Sequence, residues 1–165
     1  PKIFYESARF AAISLFCIGT ASAFGWILAY YKIPVAIVEV LKPFGVGVIS
    51  TGFIIAGAFL VIGMFIDAIP AIIILGTVLW PLGEFAGVHP IHFAIIGIIS
   101  LAFGLVTPPY GLCLLISAAI GEINVVKVLR DVVIILFPML IILLLVILFP
   151  ELALWLPRKL MPGAV

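Results

Sequence analysis

Two short stretches of this chain gather oxygen donors where the surrounding sequence offers almost none. The first runs from Gly63 to Pro70 and contains Asp67, the only acidic residue between Glu39 and Glu84. Gly63 loosens the backbone before it, and Pro70 has no N–H to give the carbonyl of Ile66. The second runs from Gly104 to Pro109, with Thr107 followed by two prolines. In a continuing helix those prolines would deprive the carbonyls of Gly104 and Leu105 of their i+4 donors. Each also drives the residue before it out of the α region. The carbonyls of Gly104 to Val106 are therefore expected to lack partners, at the negative C-terminal end of a half-helix. Thr107 adds a hydroxyl that could cap the helix beyond. Gly63, Asp67, Gly104, Val106, Thr107 and Pro108 thus form a candidate ligand set. It holds hard oxygen donors and one carboxylate, with no nitrogen or sulfur, which suits a monovalent cation better than zinc or copper.

Plainer readings stand beside this one. Asp67 could serve only as the N-cap of the helix that comes after it. The Thr107-Pro108-Pro109 break could be an ordinary kink satisfied by a neighbouring helix. Thr51 and Ser100 are candidates to line a permeation path, or, with Ser50, Thr77 and Ser117, small residues that let helices approach. His89 and His92 stand three apart like half a metal site, but only Glu84 lies nearby, and both fall at an expected membrane boundary. They read as interfacial histidines. Cys17 and Cys113 form no CxxC and read as small buried hydrophobes.

The elements that must hold these residues belong in a bilayer. Apolar residues make up 67% of the 165 and charged residues 9%, with a mean hydropathy of +1.53. A water-soluble domain carries about 25% charged residues to wet its surface. The net charge of +1 gives no reason to expect nucleic acid or an acidic ligand as partner. An all-α polytopic membrane protein is the class that remains.

Charges punctuate the chain into segments. Residues 10–31 are uncharged and long enough for a transmembrane helix, with Trp26, Tyr30 and Tyr31 at its far end as interfacial aromatics. Residues 34–43, with Glu39 and Lys42 among apolar side chains, suit a short interfacial helix stopped by Pro43. For 45–85 two arrangements compete: a full span over 46–66, or a re-entrant helical hairpin with its tip near Gly63–Pro70. The 16 residues from Ala68 to Gly83 would rise only ~24 Å against a ~30 Å core, which favours the hairpin. Residues 90–121 are too long for one straight span. They read as a discontinuous helix broken at 104–109, with Asn124 a candidate cap for the next helix. A last span, 128–149, contains Pro138, and 150–165 reads as an interfacial tail carrying Trp155. The positive-inside rule does not orient the chain, because four cations fall on each side: Lys2, Arg9, Lys127 and Arg130 against Lys32, Lys42, Arg158 and Lys159.

Four segments carry a family resemblance: "GMFIDAIPAIIIL" (63–75), "HPIHFAII" (89–96), "GLVTPPYGLCLL" (104–115) and "FPELALWLP" (149–157). In this order and spacing they resemble the C-terminal half of the large membrane subunit of tripartite ATP-independent periplasmic (TRAP) transporters. The resemblance implies one inverted-repeat half of an elevator-type transporter, built from a re-entrant hairpin and an unwound helix. It implies sodium-coupled import of an organic acid, such as a C4-dicarboxylate or sialic acid, across the bacterial inner membrane. The partners it implies are a periplasmic binding protein, a small four-helix membrane subunit and the N-terminal half of the same subunit. Gly63 and Asp67 would mark the hairpin tip, and Gly104, Thr107 and Pro108 the unwound helix beside sodium. The hairpin and unwound helix would travel together against a scaffold of 10–31 and the last span, with residues 122–131 cytoplasmic. The alternatives are a structural membrane subunit that only anchors partners and, more remotely, an intramembrane protease. The latter lacks both a second membrane carboxylate and a near Ser–His pair.

Overall fold

With so few charged side chains, the backbone must satisfy its own polar groups, and helix is the local solution that does so. The computed structural model describes residues 2–45, 47–108, 111–123 and 125–160. Among these, every regular element is helical. The order is α1 (Lys2–Tyr30), α2 (Ile33–Leu41), a 3-10 turn (Lys42–Phe44), α3 (Val48–Gly63), α4 (Ala68–Phe85), α5 (Pro90–Gly104), α6 (Leu112–Ile120), α7 (Val125–Leu148) and α8 (Pro150–Leu160). Three of them, α1, α4 and α7, are long and apolar enough to cross a membrane. The chain is an all-α membrane protein.

Several boundaries differ from those expected, each for a local reason. α1 starts well before residue 10, because Arg9 on an exposed helix face does not interrupt the backbone ladder. The α-helix α2 ends at Leu41, just ahead of Pro43 as expected, and Pro43 itself sits early in the 3-10 turn that follows, where a missing N–H costs nothing. α4 runs on to Phe85 for 18 residues, with Pro81 accommodated inside it. At ~27 Å it is long enough to be a candidate span, so shortness alone does not separate a re-entrant arm from a crossing one. The second part of the interrupted helix begins at Leu112, beyond the expected break at 104–109, because Gly111 turns the chain with φ 42°. α8 gives the tail regular structure as far as Leu160. Asn124 lies outside the described residues.

The centre of the molecule is the contact between α3 and α5. The two helices run parallel: Gly52 faces Ile96, Gly97 faces Phe59, and Gly63 faces Leu101 and Gly104. Ile55, Phe59, Ile96 and Leu101 are all buried there. Phe93 extends the core to α4, meeting Phe59 and Trp80 edge-to-face at centroid distances of 6.3 and 5.3 Å. Leu143 and Ile147 of α7 join the same core.

The periphery is different. α1 packs on α4 and α2 and buries only Ala21 and Gly25. Lys42 lies over the ring of Phe85 at 5.7 Å, tying the 3-10 turn to the base of the hairpin. Among the described residues α1 and α7 do not pack against each other. The two pieces expected to form one scaffold are thus separated by the α3–α5 core.

Candidate functional site

α3 and α5 end at the same level because each closes on a glycine that the other helix touches. A Cβ added to Gly104 would stand 2.5 Å from the carbonyl oxygen of Leu60 and 2.8 Å from Cα of Gly63. A Cβ on Gly63 would stand 2.8 Å from the carbonyl oxygen of Leu101. Only glycine permits this backbone-on-backbone crossing. It brings two helix C-termini, each with partial negative charge, to one place.

The break after Gly104 is better satisfied than the prolines alone predict. The Gly104 carbonyl accepts from the amide of Thr107 at 3.0 Å, and the Leu105 carbonyl accepts from Cys113 at 3.2 Å. The expectation that these carbonyls lack partners is therefore corrected for Gly104 and Leu105. A tighter i+3 turn serves the first, and the opening turn of α6 folds back to serve the second. Val106 is the one of the three for which no backbone donor occurs among the described residues.

Thr107 does not cap α6, whose N-cap is Gly111. Its hydroxyl instead donates to the carbonyl of Phe103, one turn back in α5. With the hydrogen committed there, the oxygen faces other partners only as an acceptor. Pro108 is half-buried beside it.

Asp67 occupies the N-cap position of α4 with extended backbone, yet its side chain makes no capping hydrogen bond. It is exposed at the hairpin turn, four residues past Gly63. The structure thus brings Gly63 together with Gly104 and leaves Asp67 exposed in the turn between α3 and α4. Among the described residues no three His, Cys, Asp or Glu side chains form a metal-binding group. The crossing offers carbonyl and hydroxyl oxygens, which fit a small hard cation.

Thr51 and Ser100 are fully buried, and neither hydroxyl has a hydrogen-bond partner among the described residues. Thr51 is near the start of α3 and Ser100 near the end of α5, so they lie at opposite ends of one interface. Within this chain both pack between helices. His89 and His92 are not a matched interfacial pair. His89 caps α5, its Nδ1 accepting from the amide of Ile91, whereas His92 is buried against α7. Cys113 is exposed and Cys17 partly so, not the buried hydrophobes expected. The parallel ending of α3 and α5 is not readable from the sequence, although Gly63 and Gly104, each a few residues before a break, are its visible signal.

The family model for the DctM component of the tripartite ATP-independent periplasmic transporters matches residues 1–152. The chain belongs to this family. Among curated relatives of the TRAP type, it is 28% identical over 157 residues to the sialic acid large permease protein SiaM of Vibrio cholerae, covering 95% of this chain and 37% of that protein. It is 28% identical over 158 residues to the C4-dicarboxylate large permease protein DctM of Pseudomonas aeruginosa, covering 96% and 37%. YgiK of Salmonella typhimurium is 29% identical over 161 residues, covering 98% and 37%. The chain therefore spans a little over a third of the length of these relatives. No solved structure matches it. The TRAP large permeases are transporters and not enzymes, which sets the protease alternative aside.

Proposed function

We propose that the chain is the C-terminal repeat of a TRAP large permease that imports an organic acid by sodium symport across the bacterial inner membrane. A C4-dicarboxylate or sialic acid is the substrate class suggested by the relatives' names. A periplasmic binding protein would deliver the substrate. A small four-helix membrane subunit and an N-terminal repeat of the same subunit would complete the path.

The observation that carries this reading is the crossing of Gly63 and Gly104. Two negative helix ends meet there, beside a threonine hydroxyl whose only hydrogen is already donated. Paired interrupted helices of this kind are how secondary transporters hold ions. Carbonyls at the ends of α3 and α5, Val106 and Thr107 would hold sodium, with Asp67 supplying charge from the turn.

In the proposed elevator motion, α3, α4, α5 and α6 move as a block, with the α3–α4 hairpin re-entrant from the periplasmic side. α7 contributes Leu143 and Ile147 to the buried core and is taken with that block, whereas among the described residues α1 and α2 reach the block only through α4. α1 and α2 then remain as the scaffold's contribution from this repeat. The loop between α6 and α7 faces the cytoplasm.

The test is uptake by proteoliposomes holding the full-length subunit and its small partner, supplied with the binding protein. An inward sodium gradient is expected to drive accumulation, and Asp67→Ala or Thr107→Ala to weaken its dependence on sodium. Unchanged uptake and unchanged sodium activation in both variants would overturn the assignment.

A further inference from the structure

α7 does not end for want of helical sequence. Its ladder continues through Phe149, whose amide donates to the Leu145 carbonyl at 2.9 Å. The next donor would be residue 150, which is proline. The carbonyl of Val146 therefore loses its i+4 partner at the corner where α8 begins. An acceptor left open in apolar surroundings is costly, more so where no water reaches it.

The missing donor comes from 54 residues away. Nε2 of His92, in the first turn of α5, lies 2.9 Å from that carbonyl. His92 is 2% exposed. Since a carbonyl can only accept, the hydrogen must sit on Nε2. His89, on the same turn, is engaged with the Ile91 amide.

The same corner is seated by packing. Ile147 is 2% exposed, and its Cγ2 would stand 2.9 Å from a Cβ at Gly52 of α3. Ala153 and Leu154 of α8 are buried, and α8 packs on α5. This corner lies beside the starts of α3 and α5, at the far end of the block from the Gly63–Gly104 crossing.

We propose that His92 is a positioning residue that supplies the donor Pro150 withholds from Val146, fastening the α7–α8 corner to α5 so that it moves with the hairpin block. The fastening stands on the hydrogen bond alone; the movement rests on the transport function proposed above.

The test uses the full-length subunit with its small partner. Replacing Pro150 by alanine restores an amide donor to Val146, so the cost of losing His92 must depend on residue 150. His92→Leu is expected to lower the melting temperature by about 2–4 °C, and in the Pro150→Ala background by no more than half that amount. His92→Gln, whose amide nitrogen reaches about as far as Nε2, is expected to restore most of the loss. His92→Asn, one bond shorter, is not. Should His92→Leu fail to fold, the glutamine and asparagine variants decide the same question. Additive shifts in the Pro150 background, or equal rescue by asparagine and glutamine, would overturn the donor role.

In the uptake assay His92→Leu is expected to lower kcat severalfold with KM changed less than twofold, and glutamine to recover it. Unaltered kcat beside an intact melting cycle would overturn the positioning role. The melting cycle needs no transport. Absence of uptake by the unaltered protein would thus count against the transport reading, while the cycle would still decide the hydrogen bond.

Discussion

Two of the helix crossings built on glycine, α3–α5 and α1–α4, differ in what the glycine touches. At the α3–α5 crossing, a Cβ on Gly104 would collide with the Leu60 carbonyl at 2.5 Å and with the backbone of Gly63. At the α1–α4 crossing, a Cβ on Gly25 would meet the Thr77 hydroxyl at 3.4 Å, an ordinary contact. One crossing is backbone on backbone and has no slack. The other is backbone on side chain, and little of α1 is buried around it. A packed core answers strain by switching between arrangements and not by gradual deformation. In the proposed elevator motion, the tight crossing would travel as a unit and the loose one would be the surface along which it slides.

The largest effect is expected at the tight crossing. Gly104→Ala should destabilise the folded subunit by about 3 kcal/mol, and Gly63→Ala by about 2 kcal/mol, because the obstructing atoms are largely backbone and cannot rotate away. Thermal unfolding of the full-length protein measures both. Losses below about 0.5 kcal/mol would mean that the two helix ends are not in backbone contact.

Ser100→Ala probes the same interface more gently. A buried hydroxyl without a partner contributes desolvation cost and no hydrogen bond, so its removal should be neutral or stabilising by up to about 1 kcal/mol. A clear loss of stability would reveal a bonding partner for Ser100 and a less dry interface.

Gly25→Ala should change stability least, by about 0.5 kcal/mol or less. The better helix propensity of alanine offsets the tighter fit against Thr77. If this substitution cost as much as Gly104→Ala, the contrast between the two crossings would fail.

How far this was legible in sequence depended on how local each cause is. The helical class, the hairpin turn after Gly63 and the end of α5 at Gly104 follow from apolar run length, glycine and proline, all readable along the chain. The hydrogen bonds within the break were not. Whether the Leu105 carbonyl finds a donor depends on Cys113, eight residues on, reaching back from a helix whose start Gly111 sets. His92 shows the same limit at longer range. Its pairing with Val146 requires knowing that α7 ends beside the start of α5, although Pro150 was a visible sign that a carbonyl there would need outside help. Asp67 stood out as the only carboxylate of its region, but sequence could not tell that it lies exposed in the turn without capping α4. Membership in the TRAP large-permease family was legible because four separated segments carried it. The packing of α7 on the α3–α5 core was not, since it depends on contacts between residues far apart in the chain.

The central claim, that the interrupted helices hold sodium, is tested most directly by the thermal stability of the full-length subunit in sodium against potassium at equal ionic strength. A ligand that binds only the folded state stabilises it by about 2.7 kcal/mol at a hundred times its Kd. A higher melting temperature in sodium is predicted for the unaltered protein. That difference should shrink strongly in Thr107→Val, where the acceptor oxygen is gone but the shape is kept. Equal melting temperatures in the two salts, or an undiminished sodium effect in Thr107→Val, would contradict it.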